Sequence, residues 1–221
     1  MVMLVFALPE EARVVRRRIR SSKSAGEVPQ GIFAGQEVSL SFVGVGAVRM
    51  AELQRSVELI KPWMIISSGF AGATRSLLEA GDFVLSTNYT DRDIAKRLSQ
   101  SKIFDAVGPF VQVQQVASAS DKWSLNRSQG PLAVDMESEA IADLCRRQGL
   151  LLVTARMISD GIDEAIPEVF TRRRVSRLSD LGHGAIFAAQ MLRLTAELAD
   201  RLEALVGTCC QEPAIGRSAS P

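Results

Sequence analysis

Five short segments hold the residue types that can do chemistry: Ala7-Leu8-Pro9-Glu10-Glu11, Gly44-Val45-Gly46, Ser68-Gly69-Phe70-Ala71-Gly72, Val134-Asp135-Met136-Glu137 and Ile158-Ser159-Asp160. Glu10 and Glu11 stand in the first turn of a helix opened by Pro9, where the helix dipole favours an ionised carboxylate by roughly 0.3–1 kcal/mol. Such a carboxylate orients or deprotonates a water. Asp160 follows a buried apolar run, and partial desolvation raises the pKa of a carboxyl and suits it to giving a proton. Glu137 lies where a strand turns into a helix and can accept hydrogen bonds from vicinal hydroxyls. A base, an acid and a diol binder are the set that cleavage of a glycosidic bond requires. A structural reading stands beside each of these. Glu in a first helical turn is commonly a cap, and Asp after a strand is commonly a turn or N-cap.

The elements that must position these groups are legible as short apolar runs separated by helical spacing. Val2 to Ala7 reads as a buried strand, and Pro9 to about Arg20 as the helix that follows it. Val38 to Val43 is a second strand, paired as a hairpin with Gly31 to Ala34. Gly44-Val45-Gly46 leads into a helix from about Ala47 to Ile60, which Lys61-Pro62 stops before the strand Trp63 to Ser68. Gly69 to Gly72 reads as a glycine-bearing turn, and Gly81-Asp82 opens a strand through Ser86. Val111 to Val116 alternates as a half-buried strand. Leu132 to Val134 is short and apolar, and Met136 to Gln148 is a helix capped by Gly149. Leu150 to Ile158 is a further buried strand, and Ala185 to Val206 a long amphipathic helix. Alternation of this kind predicts a three-layer α/β sandwich with helices on both faces of a mixed central sheet. Its ligand site is expected at the carboxyl ends of the strands. Residues 1–206 read as one domain, and 207–221, with Gly, Pro and Ser but no periodicity, as a disordered tail.

Composition excludes several alternatives. The 221 residues are 47% hydrophobic and 23% charged, and 26 Lys+Arg against 25 Asp+Glu leave a net charge of +1. That balance argues against a basic nucleic-acid surface. Three cysteines, Cys145, Cys209 and Cys210, make no disulfide scaffold and fit a reducing cytoplasm. The lone histidine, His183, excludes a His-rich metal site, and it reads as marking the start of the last helix. The apolar run at Val2 is too short, and too soon acidic, for a signal peptide or membrane span. Arg13, Arg16, Arg17, Arg18 and Arg20, like Arg172 to Arg174, read as solvated faces. Gly44-x-Gly46 can cradle an anion ahead of a helix. It has neither the third glycine of a dinucleotide fingerprint nor the lysine of a P-loop, so no NAD, ATP, metal or other cofactor is implied. Cys145, on a helix's apolar side, reads as core.

Taken in order, Ala7-Leu8-Pro9-Glu10-Glu11-Ala12, Gly44-Val45-Gly46, Ser68-Gly69-Phe70-Ala71-Gly72, Val134-Asp135-Met136-Glu137-Ser138 and Arg156-Met157-Ile158-Ser159-Asp160 resemble the nucleoside phosphorylase family. The likeness spans residues 2 to 206 and looks closest to the methylthioadenosine/adenosylhomocysteine nucleosidases and the hopanoid-associated phosphorylases. It implies that Glu11 positions the attacking water, that Glu137 holds the ribose hydroxyls with Met136 against the sugar, and that Asp160, supported by Ser159, protonates the purine. Ala7, Gly46 and Phe70 join the substrate-binding set by the same resemblance. It also implies a homodimer acting on a small nucleoside. Anionic groups beneath a sugar that becomes cation-like would stabilise the transition state more than the ground state. Hydrolysis of a 5′-modified adenosine is the expectation, with phosphorolysis or a non-catalytic nucleoside-binding module as alternatives. Three departures bear on the choice. Phe70 replaces a small hydroxyl residue and cannot donate to phosphate through its side chain. The stretch Ser86 to Val111 is short. Residues 116–121 lack an aromatic partner for adenine, a place that Trp123 is near enough to fill.

Overall fold

The structure, a computed structural model, describes residues 1–25, 28–164 and 178–211, and the side chains of all of these except 21–25, 178–188 and 211. Its centre is one 11-stranded mixed sheet. The strands are β1 (Val2–Phe6), β2 (Arg20–Ala25), β3 (Val28–Phe33), β4 (Gln36–Phe42), β5 (Met64–Ser67), β6 (Phe70–Ala73), β7 (Phe83–Ser86), β8 (Ala106–Gly108), β9 (Phe110–Gln112), β10 (Ala133–Asp135) and β11 (Leu151–Asp160). The helices are α1 (Arg13–Arg18), α2 (Met50–Ile60), α3 (Arg92–Leu98), α4 (Ala119–Gln129), α5 (Ser138–Gln148) and α6 (Leu178–Gln211).

The parallel order β4-β1-β5-β11 forms the middle of the sheet. β1 shows why these runs are apolar without alternation. Val2, Leu4 and Phe6 face a core shared with Ala12, Val15 and the inward residues of α6, while Met3 and Val5 face a second core with Leu53 and Val57 of α2 and Ile141, Leu144 and Cys145 of α5. A strand covered on both faces must be apolar on both. Each such buried aliphatic side chain contributes about 1.5–3 kcal/mol. The three-layer sandwich expected from the sequence is the fold observed.

β5 and β6 run along successive halves of the long strand β11, both parallel to it: Met64 to Ser67 beside Leu151 to Thr154, then Phe70 to Gly72 beside Met157 to Asp160. Between them the chain leaves the ladder at Ser68-Gly69. β10 lies antiparallel to β6, so its carboxyl end points back toward that break. The site is built there.

Several expected boundaries are corrected. Of residues 69–72, read as a turn for their glycines, all but Gly69 belong to β6, which runs on to Ala73. The first helix spans only Arg13–Arg18, and Arg20 already belongs to β2. The strand expected at Val111 to Val116 is the shorter β9, ending at Gln112. α3, β8 and α4 were not legible in the sequence. α6 begins at Leu178 rather than Ala185 and continues past Val206 to Gln211, with Cys209 buried, so the first residues of the expected tail are helical. His183 therefore lies within this helix rather than at its start, and its side chain is outside the described residues. Residues 212–221 and Arg172 to Arg174 also lie outside them. Of the arginines read as solvated, Arg18 instead pairs with Asp200 (2.6 Å) and Glu203 (3.1 Å) of α6.

Candidate active site

Glu11 is held at the strand break by backbone amides. Its Oε2 accepts the Leu8 N–H at 3.0 Å, and its Oε1 accepts the Phe70 N–H at 3.4 Å. Gly69, at φ +134°, lets the two chains approach this closely: a Cβ there would sit 3.0 Å from both carboxylate oxygens. Burial pushes the Glu11 carboxyl up to about 7; the Leu8 amide and the Arg156 guanidinium pull it down, and the Glu137 charge pushes it up again. Glu10, its neighbour, is exposed and stands outside this arrangement.

Glu137 is buried, and its Oε1 accepts the Gly46 N–H at 2.8 Å. The glycine turn expected to cradle an anion thus meets a protein carboxylate. Gly46 takes φ 71° to present that amide, and Met136 packs beside it. Burial raises the Glu137 pKa, opposed by Arg156 and supported by Asp135. Ala7 contributes its carbonyl, which accepts from Gly44 N–H at 2.9 Å and ties the end of β1 to the Gly44 turn. Phe70 is half-buried, its ring packed against the main core.

Beneath both glutamates lies a buried polar network with no assigned role in the sequence reading. Arg156, 2% exposed, pairs with Asp135 at 2.8 Å and donates to Ser67 Oγ and Ser138 Oγ, each at 3.1 Å. Ser138 in turn donates to Asp135. A guanidinium this deep is retained only when its donors are satisfied. An arginine in the apolar run Leu151 to Ile158 was the available signal.

Asp160 closes β11 at the other end of β6. A register shift after Ile158 leaves Ser159 as the irregular residue. Ser159 donates to the Ala71 carbonyl at 3.3 Å and to Asp160 itself. Sequence reasoning gave Asp160 a partly desolvated, proton-giving carboxyl. The structure places the ammonium of Lys122 directly on it, both side chains being almost fully buried. Lys122 was missed because a lysine in the polar run of α4 reads as solvated. Trp123, next along that helix, donates its indole N–H to Asp163 at 2.9 Å.

The two carboxylates are thus separated by the length of β6. Gly69 lies against Glu11, and Gly72 against Asp160 and Lys122. Three strand steps of about 3.3 Å make this roughly 10 Å. That span is too long for both to act on one atom and suits groups acting at the two ends of a small molecule. Among the described residues no cluster of His, Cys, Asp and Glu is arranged to hold a metal ion, and no helix is long and apolar enough to cross a membrane. Cys145 lies in the core with its thiol pushed up by burial to about 12, so it is no nucleophile.

The family pattern described as "Phosphorylase superfamily" matches residues 2–124. A 5′-methylthioadenosine/S-adenosylhomocysteine nucleosidase of Haemophilus influenzae (strain PittGG) is 26% identical over 196 residues, covering 72% of this chain and 86% of the relative. One of Bacillus cereus (strain B4264) is 26% identical over 201 residues, with 72% and 85% covered. Among solved structures, the S. pneumoniae 5′-methylthioadenosine/S-adenosylhomocysteine nucleosidase with the transition-state inhibitor MT-ImmA superposes with a TM-score of 0.72 at 18% identity, over 94% of this chain and 99% of that one. The futalosine hydrolase of Helicobacter pylori strain 26695 superposes at 0.71 and 18% identity, over 94% and 97%. At these identities the structures share the fold.

Proposed function

The chain belongs to the phosphorylase superfamily, and on that premise we propose that it hydrolyses the N-glycosidic bond of a purine nucleoside, an adenosine derivative modified at the 5′ position. The observation that carries this reading is the pairing of unlike carboxylates across β6: Glu11 and Glu137 at one end, Asp160 at the other. The curated relatives named above act as nucleosidases by name, which supports the substrate class.

Glu11 is the base. A carboxyl of pKa about 7 is part carboxylate at neutral pH and basic enough to take a proton from water, which is the range general-base catalysis needs. The water oxygen attacks C1′ as the bond to the purine breaks, and its proton passes to Glu11. Glu137 and, through space, Glu11 place negative charge beneath a sugar that becomes cationic, while Glu137 accepts the ribose hydroxyls and Met136 lies against the ring. At the base end a proton enters the purine by way of Asp160, with Ser159 fixing the carboxylate. Ala7, Gly46 and Phe70 line the sugar end.

Water is favoured over phosphate by one contact. The Phe70 amide, which would face an anionic nucleophile, is already turned on the Glu11 carboxylate, and a phosphate dianion there would meet that negative charge at close range. Exposed Val45 and Val48, 45% and 78% accessible beside Gly46, suit burial against a second copy of the chain, in keeping with a homodimer of the cytoplasm. The test is release of free base from a panel of methylthioadenosine, adenosylhomocysteine, adenosine, inosine and uridine. Turnover of the 5′-modified adenosines ahead of the others is expected. A preference for uridine, or no turnover of any of them, would overturn the reading.

A further inference from the structure

We propose that Lys122 is a positioning residue that holds Asp160 and stores the proton which the departing base receives. This rests on the reading of Asp160 as the group at the base end.

The geometry is that of a built site. Lys122 is the single buried residue of α4, so this helix docks on the sheet through a lysine where an apolar side chain would be usual. Its ammonium uses all three donors: on Asp160, on the Gly161 carbonyl at 2.9 Å and on the Glu164 carbonyl at 2.9 Å. β6 leaves room for it at Gly72, where a Cβ would fall 2.9 Å from Lys122 Cε and 3.2 Å from Asp160 Oδ2. Apolar residues of similar volume commonly replace a buried ion pair at no loss of stability. A lysine admitted at the expense of a side chain on β6 therefore points to chemistry.

Among the described residues, the charged groups around the pair are engaged elsewhere. From the segment after β11, the Glu164 carboxylate accepts the Gly161 N–H at 2.9 Å, and Asp163 is taken by Trp123. Asp121 on α4 is exposed and bonded to Ser118. β6 and β10 bring Gly72 and Val134, neither charged, and α6 brings Gln190, which donates to the Ser159 carbonyl. Among the described residues, Asp160 is the one carboxylate in contact with the ammonium.

Two requirements then collide. Glu11 works as a base only when ionised, at pH about 7 and above. Asp160 must give a proton at that same pH, while the Lys122 ammonium sits on its carboxyl. The pair resolves this. The Lys122 ammonium seated on Asp160 is a second source for that proton. As the C1′–N bond breaks, the bonding electrons go to the purine, and one proton passes from the Lys122 ammonium through the Asp160 carboxylate to the purine. Lys122 is left as the neutral amine and Asp160 as the carboxylate. The proton that Glu11 took from water leaves to solvent, and solvent recharges Lys122 after product release.

The test compares the wild type with Lys122→Met and Lys122→Arg, each first shown to be folded by thermal unfolding. The readout is kcat/KM for methylthioadenosine from about pH 5 to about pH 10. The wild type should rise through about pH 7 with Glu11 and stay level until the lysine range. Lys122→Met leaves the proton on Asp160 alone, so its activity should fall as pH rises past the carboxyl range. At pH 8 the loss should be about 10²–10⁴-fold, and markedly less at pH 5. Lys122→Arg keeps the charge but not a transferable proton, and should be low throughout. If both variants keep the wild-type profile with a uniform loss, Lys122 is merely structural and the proposal is overturned. If Lys122→Met does not fold, a wild-type profile that already falls between about pH 7 and 9 overturns it. A wild type inactive on every purine nucleoside takes down the hydrolase reading itself, and the proton store with it.

Discussion

At the Gly69 end of β6 two carboxylates, Glu11 and Glu137, rest on backbone amides and share one buried guanidinium with Asp135. At the Gly72 end Asp160 is, among the described residues, the one carboxylate in contact with the Lys122 ammonium. The carboxylates at both ends are at least partly buried and rich in hydrogen bonds, so burial alone does not separate them. The count of cations per carboxylate does. With one cation among three carboxylates, Glu11, Glu137 and Asp135, desolvation prevails and the carboxyl pKa rises, to about 7 for Glu11. At the Gly72 end one ammonium faces one carboxylate. On the proposed function, the same side-chain chemistry serves as a base at one end and a proton source at the other, about 10 Å apart along β6.

The comparison breaks first at its ends. Glu11→Gln removes the base and should lower kcat for base release from methylthioadenosine by at least about 10²–10⁴-fold, the usual worth of a general base. Asp160→Asn should cost a similar factor on nucleosides. Retention of near-wild-type turnover by either variant would dissolve the division of labour.

A smaller effect sharpens the role of Glu137. A carboxylate accepting from two hydroxyls makes charge-assisted bonds worth about 1.5–3 kcal/mol each. Glu137→Gln against the ribonucleoside, and the wild type against its 2′-deoxy analogue, should each lose roughly 10- to 100-fold in kcat/KM at about 1.4 kcal/mol per decade. The deoxy value must be corrected for its more labile glycosidic bond. The two losses should not add in a double-mutant cycle. Additive losses would leave Glu137 as the partner of the Gly46 amide and nothing more.

Smaller still is the stability cost of keeping Glu11 basic. Its folded pKa of about 7 lies above the ordinary 4.5. The folded state therefore binds the proton more tightly than the unfolded chain, and stability falls as pH rises from 4.5 to about 7 and stays lower above that. Glu11→Gln should stabilise the protein at pH 8 by about 1–3 kcal/mol, less than the full shift would give because the carboxylate is partly open to water. Below pH 4.5 it should change little. Urea unfolding at the two pH values measures the difference, and equal effects at both would remove the desolvation argument.

Much of this was readable from residue order, and the unread part has definite physical causes. β1, β5 and β11 stood out because strands covered on both faces are continuous apolar runs. Glu11, Glu137 and Asp160 were singled out as the chemical groups, and the fold brings the first two over one guanidinium. β6 was read as a turn because glycine usually marks one. Here Gly69 and Gly72 lie just before and within a strand, clearing space for Glu11 and for the Lys122–Asp160 pair. α4 was missed because its sequence, Ala119 to Gln129, has no apolar stripe. Its one legible sign was the capping box from Ser118 to Asp121, two residues that satisfy each other's amides at the helix start. Lys122 could not be found from sequence, since a lysine on a polar helix is ordinarily solvated and only the tertiary fold places it beneath β6.

The fate of the attacking oxygen tests the division between the two ends most directly. Methylthioadenosine is turned over in heavy-oxygen water containing inorganic phosphate, and the sugar product is weighed by mass spectrometry. With Glu11 turned on the Phe70 amide and basic near neutrality, the expected product is free methylthioribose carrying one heavy oxygen at C1′, formed at a rate that phosphate does not change. A sugar 1-phosphate as the main product, appearing in proportion to added phosphate, would contradict it.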